Sequence, residues 1–158
     1  HALADAAAKA IAPVGAVFTG LALLTGALWG MPMWGTPWQW DGRMTSELVL
    51  FLFYIAYIAL HASIEDEVRA AKSTAILAMV GLVNLPIVHF SVQWWNSLHQ
   101  GQSIFVKGGP TIAASMLWPL FVMVAAYHVL AAWLFLMRLD SEILMRKYRA
   151  LRIRLTFN

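Results

Sequence analysis

Apolar residues run along this chain in four long blocks, each bounded by short polar segments. A bilayer crossing takes roughly 20 residues as a helix. The blocks predict membrane helices over about 11–30, 45–63, 73–91 and 111–137. Gly15, Gly20 and Gly26 in the first block suit close helix packing. Pro13, Pro86 and Pro119 are expected to bend or end their helices. In the second block Glu47, Phe51, Tyr54, Tyr57 and His61 recur at three or four residues and share one helical face. No internal repeat or low-complexity linker interrupts the pattern.

Composition agrees with lipid as the solvent. Of 158 residues, 61% are hydrophobic and 12% charged, with a mean hydropathy of +0.68. A soluble domain carries about a quarter charged residues. The fold class expected is therefore all-α, an integral membrane helical bundle forming a single membrane domain over 1–158. With no Cys, a disulfide framework and thiol chemistry within the chain are excluded. The net charge of +3 reads as a topology signal rather than a nucleic-acid footprint. Arg69, Lys72 and the tail residues Arg138, Arg146, Lys147, Arg149, Arg152 and Arg154 fall on one side, with Lys9. Loops 31–44 and 92–110 hold only Arg43 and Lys107. The positive-inside rule puts both chain ends and the basic tail 138–158 in the cytoplasm, and the two loops outside. The tail is expected to continue the last helix or lie at the lipid surface, anchoring topology by charge. The chain starts His1-Ala2-Leu3 without Met or a signal-peptide signature, as expected for the later part of a longer protein.

The candidate chemistry lies in the two outer loops. Trp34, Trp38 and Trp40 precede Asp41 and Arg43, in a stretch whose Pro and Gly residues disfavour a helix. Two readings stand: an interfacial aromatic belt, or a platform for a large planar ligand with Arg43 meeting a carboxylate. Trp94, Trp95 and His99 lie in the second loop, with His89 ten residues before His99, at the end of the third helix. Imidazole is a common axial ligand of haem iron. His99 is thus a candidate metal ligand or an ordinary loop histidine, and His89 a supporting residue. Asp41 is placed to cap the second helix if that helix starts a turn early. Arg43 and Glu47 are placed to pair at i,i+4. His61 and His128 lie at similar depth, roughly 25 Å from the outer face by helical rise. They either pair within the bundle or ligate a buried haem, as in a b-type membrane cytochrome that transfers electrons. No hydrolase, metalloprotease or nucleotide-binding motif is present, and no enzyme activity is expected.

The stretch Trp34-Gly35-Thr36-Pro37-Trp38-Gln39-Trp40-Asp41, with Arg43, Thr45, Ser46 and Glu47, resembles the WWD motif of haem-handling proteins in cytochrome c biogenesis. Within that superfamily it is most similar to the haem exporter protein C (CcmC) family. Ala12 to Phe18, Trp29 to Met33, Val83-Asn84-Leu85-Pro86-Ile87 with His89, and Trp94-Trp95-Asn96 with Leu98-His99-Gln100-Gly101 extend the likeness over about 10–135. The resemblance implies six membrane helices, of which these are the last four, in a bacterial inner membrane. It implies haem b bound on the periplasmic face between two axial histidines, above the WWD segment. His99 matches the second of these; the first belongs upstream of residue 1. It further implies delivery to the haem chaperone CcmE, and a complex with the CcmA/CcmB transporter and CcmD. Pro37 departs from the Trp that some members carry there.

Overall fold

The computed structural model describes residues 2–156; His1 and the last two tail residues, Phe157 and Asn158, lie outside the described residues. The described chain is all helical: α1 (Ala2–Trp34), α2 (Gly42–Ser63), α3 (Glu67–Leu82), α4 (Asn84–Trp94) and α5 (Ala114–Thr156). α3 and α4 together make one span, so four spans are long and apolar enough to cross a membrane. The helical bundle expected from the hydrophobic blocks is what forms.

The element bounds differ from expectation in instructive ways. α1 starts at Ala2 rather than near Ile11, and it continues through Pro13 and Pro32. An apolar surround offers freed backbone groups no water, so continuing the helix around a proline is favoured over ending it. Near Pro13, Arg138 Nε donates to the carbonyl of Ala10 at 3.2 Å, supplying a donor to the turn the proline loosens. α1 stops at Trp34 because Gly35 takes a positive φ of 73°. Its N–H still donates back to the Met31 carbonyl at 3.0 Å, so the last turn is closed before the chain leaves. α5 likewise runs through Pro119 and on to Thr156 without a break.

The third block does break. Pro86 has no N–H for the carbonyl four residues back, at Leu82, and its ring crowds that carbonyl. The chain therefore ends α3 at Leu82 and restarts as α4 at Asn84, with Pro86 in the first turn of the new helix, where it is tolerated.

α2 is the central element, packing on α1, α3 and α4, while α5 packs chiefly on α1. The face of α2 that carries Phe51, Tyr54, Tyr57 and His61 is turned to α1. A Cβ on Gly15 would lie 2.5 Å from the Tyr54 ring, and one on Gly20 3.2 Å from Phe51. The aromatic stripe is thus a packing seam made possible by two glycines; Gly26 has nothing within 4 Å and serves no such role.

At the basic end the expected tail is part of α5 and is tied to the helices beside it. Lys9 Nζ meets Glu142 at 2.9 Å, Arg146 pairs with Asp5, and Arg149 pairs with Glu67. Each pair is partly exposed and contributes about 0–1 kcal/mol. Together they hold the α5 extension against α1 and the start of α3.

Midway, Asn84 at the α3–α4 break is buried, and its Nδ2 donates to the Ser46 carbonyl of α2 at 2.8 Å. Asn84→Ala should lower stability by about 1–2 kcal/mol, the cost of a lost buried hydrogen bond. Asn84→Asp should cost more, because it sets a carboxylate against that carbonyl. Thermal unfolding in detergent micelles measures both; two variants as stable as the parent would show that this bond does not hold α4 to α2.

Candidate functional site

The end of the bundle opposite the basic end brings the two outer loops together through one carboxylate. Asp41 is the N-cap of α2, and its Oδ1 accepts from the Met44 N–H at 2.8 Å. Capping residues do this because the first N–H groups of a helix have no partner within it. The other oxygen, Oδ2, accepts from the Ser97 hydroxyl and from His99 Nδ1, the latter at 3.0 Å. Ser97 Oγ in turn accepts from the His99 backbone N–H at 3.1 Å and lies 3.0 Å from Nδ1. Asp41 thus serves two loops at once while its own side chain is only 3% exposed.

A carboxylate within hydrogen-bond reach of Nδ1 favours a proton on that nitrogen, and in the neutral ring Nε2 then carries the lone pair. The ring stands edge-on to Trp34, with centroids 4.6 Å apart at 70°, and Trp34 is braced by Trp29 at 5.1 Å. The His99 side chain is 25% exposed, so a ligand can reach it. Burial acts to raise the Asp41 pKa. The hydrogen bonds from Ser97, Met44 and His99 outweigh it and hold the carboxyl below its ordinary value.

The remaining candidates are spread around this centre. Trp38 and Trp40 are edge-on to each other at 5.3 Å; Trp40 is exposed, and Trp38 Nε1 is buried without a hydrogen-bond partner. Trp38 is held by Thr36, whose hydroxyl donates to the Trp38 carbonyl at 2.8 Å. Trp95 lies over the first residue of α2, where a Cβ on Gly42 would come within 2.8 Å of its ring. Trp94 stacks on Phe90 at 5.4 Å and stays exposed. His89 is exposed and contacts the Phe90 ring, and no hydrogen bond joins it to the Asp41 cluster among the described residues. Arg43 donates to the Val88 carbonyl at 3.4 Å rather than closing an ion pair with Glu47.

The inner histidines lie on different helices, His61 on α2 and His128 on α5. His128 Nδ1 donates to the Val124 carbonyl of its own helix at 2.7 Å, on an exposed face. His61 lies beside Tyr57, its buried Nε2 3.8 Å from Asp5 of α1 and without a hydrogen-bond partner. The residue that sequence reasoning missed is Ser97. The signal was there: a Ser two residues before another residue commonly caps that residue's backbone N–H. Its bond to Asp41, 56 positions away, had no local signature.

A family model described as "Heme exporter protein C" matches residues 1–154. Relatives with that name include one from Bradyrhizobium diazoefficiens, 53% identical over 153 residues, covering 97% of this chain and 58% of the relative. One from Escherichia coli K12 is 45% identical over 148 residues, covering 93% and 59%. One from Paracoccus denitrificans is 46% identical over 155 residues, covering 98% and 64%. The chain thus spans roughly three fifths of the length of these relatives.

Asp41→Ala should lower stability by about 1 kcal/mol through the lost cap and release Ser97 and His99. Because the folded Asp41 pKa is depressed, its contribution is present above the ordinary carboxyl value. It is lost as pH falls through the folded value. The stability gap between parent and Asp41→Asn should therefore be constant near neutral pH and shrink only below the usual carboxylate range. Thermal unfolding from neutral to acid pH checks this; a gap that already shrinks between pH 7 and 5 would contradict it.

Proposed function

The chain belongs to the heme exporter protein C family, and on that premise we propose that it handles haem for cytochrome c biogenesis at the end that carries Asp41 and His99. The observation that carries the reading is the Asp41–His99 contact at 3.0 Å. A positioned imidazole with its Nδ1 proton held and Nε2 free is what an axial iron ligand requires. The cargo is haem b, with His99 as one axial ligand. We infer that the second axial histidine comes from outside these residues, as the resemblance of the sequence implies.

The aromatic residues fit the same cargo. Trp34 borders His99, and Trp38, Trp40, Trp94 and Trp95 add large apolar area on or beside the same two loops, as a flat macrocycle needs. The unpartnered Trp38 Nε1–H is a donor suited to a ligand oxygen. Arg43 has five N–H donors, and its contact with Val88 leaves others for a propionate. Asp41 acts through His99 and the α2 cap rather than on iron. His89 is a supporting residue at the end of α4.

The basic residues favour a cytoplasmic position for the α5 extension and a periplasmic one for the haem end, in a bacterial inner membrane. Delivery to CcmE, and assembly with CcmA/CcmB and CcmD, follow from family resemblance. The buried b-type alternative finds little support, since His128 stands on an exposed face of α5, His61 lies against Tyr57 and Asp5, and no contact joins the two histidines among the described residues.

Two experiments test this reading. The chain has no Cys, so single cysteines are clean reporters of topology. Cysteines at Gln39 and Gln102 should react with an impermeant thiol reagent added outside, and one at Glu65 should not; the opposite labelling reverses the orientation. In the full-length protein His99→Ala should alter the Soret and visible bands, with partial recovery on adding imidazole. His61→Ala and His128→Ala should leave them unchanged. A spectrum insensitive to His99 but abolished by either inner substitution would move the haem inside the bundle.

A further inference from the structure

The apolar run of α5 closes at Met137, yet the helix continues to Thr156. At 1.5 Å per residue, Leu144 stands roughly 10 Å and Leu155 roughly 27 Å beyond Met137 along the axis. This extension has two unlike sides. Arg138, Glu142, Arg146 and Arg149 recur at three or four residues and engage Ala10, Lys9, Asp5 and Glu67. On the opposite side Leu144, Tyr148, Leu151 and Leu155 recur at the same spacing, and all four are exposed. At about 100° per residue these four fall within an arc of roughly 60°. Lys147 and Arg154 flank the stripe on one edge and Arg152 on the other; all three are exposed.

Lipid does not account for this stripe. An amphipathic helix that binds a membrane surface lies in the interface plane. Here the ion pairs to α1 and α3 hold the extension in line with its own membrane span, so the stripe stands beyond the hydrocarbon. A second copy does not suit it either. Stripe-to-stripe pairing would set Lys147, Arg152 and Arg154 against the same cations. An apolar seam between two cationic edges matches a helix with an apolar spine between acidic edges, as in coiled-coil pairing.

We propose that the α5 extension is a docking surface for a partner protein's helix whose apolar spine is flanked by Asp and Glu, received along Leu144, Tyr148, Leu151 and Leu155. The test uses the full-length protein in its native membrane, with a photo-crosslinking amino acid at Leu151 or, as a control on the side of the helix away from the stripe, at Ile153. The Leu151 probe should give a protein crosslink that maps to a helical segment with acidic residues flanking apolar ones; the Ile153 probe should not. Lys147→Glu combined with Arg154→Glu should lower the yield by about five-fold or more, as reversal of two interfacial charges predicts. These side chains face solvent, so the substitutions leave the bundle intact. Crosslinks to lipid alone, to a second copy, or to a segment without acidic flanks would overturn the proposal, as would a yield indifferent to the charge reversal.

Discussion

One carboxylate organises the end of the bundle where the two aromatic loops meet. Asp41 closes the first turn of α2 with one oxygen and gathers Ser97 and His99 with the other. The two tasks depend on each other. The cap fixes the side chain's direction, because Oδ1 must meet the Met44 N–H, and that leaves Oδ2 facing the second loop. A loop of this length has many conformations, and ordering it is costly. Two hydrogen bonds from Ser97 and His99 to a buried anion are strong enough to select one, since charge-assisted bonds exceed neutral ones.

Placement of the second loop also depends on the break in the third span. α4 carries Trp94 and Trp95 into the loop, and its direction is set by Pro86, Asn84 and Arg43. Pro86 ends α3; Asn84 ties the restart to the Ser46 carbonyl; Arg43 reaches Val88 one helix away.

The basic end is held by different physics. Its pairs are charged, partly exposed and shared among α1, α3 and α5, so each is weak and the set is adaptable. The aromatic seam between α1 and α2 is the opposite case. There Gly15 and Gly20 admit Tyr54 and Phe51 at close range, with no room for a side chain. The face of α2 that repeats at three or four residues is therefore spent, at Phe51 and Tyr54, on packing against these glycines.

The membrane class, the four spans and the two aromatic loops were legible in the sequence, because hydropathy and local residue chemistry are properties of short stretches. The Asp41 cap was legible too, since it concerns residues three apart. Only the tertiary structure decided what Asp41 does with its second oxygen, that Ser97 belongs to the site, that Arg43 turns to Val88 rather than Glu47, and that the tail is clamped on one side and bare on the other. Those facts join positions 45 to 141 apart in the chain. Nothing in the local periodicity encodes which of many possible partners such a residue meets; that is settled when the helices pack and each buried polar group must find a partner within reach.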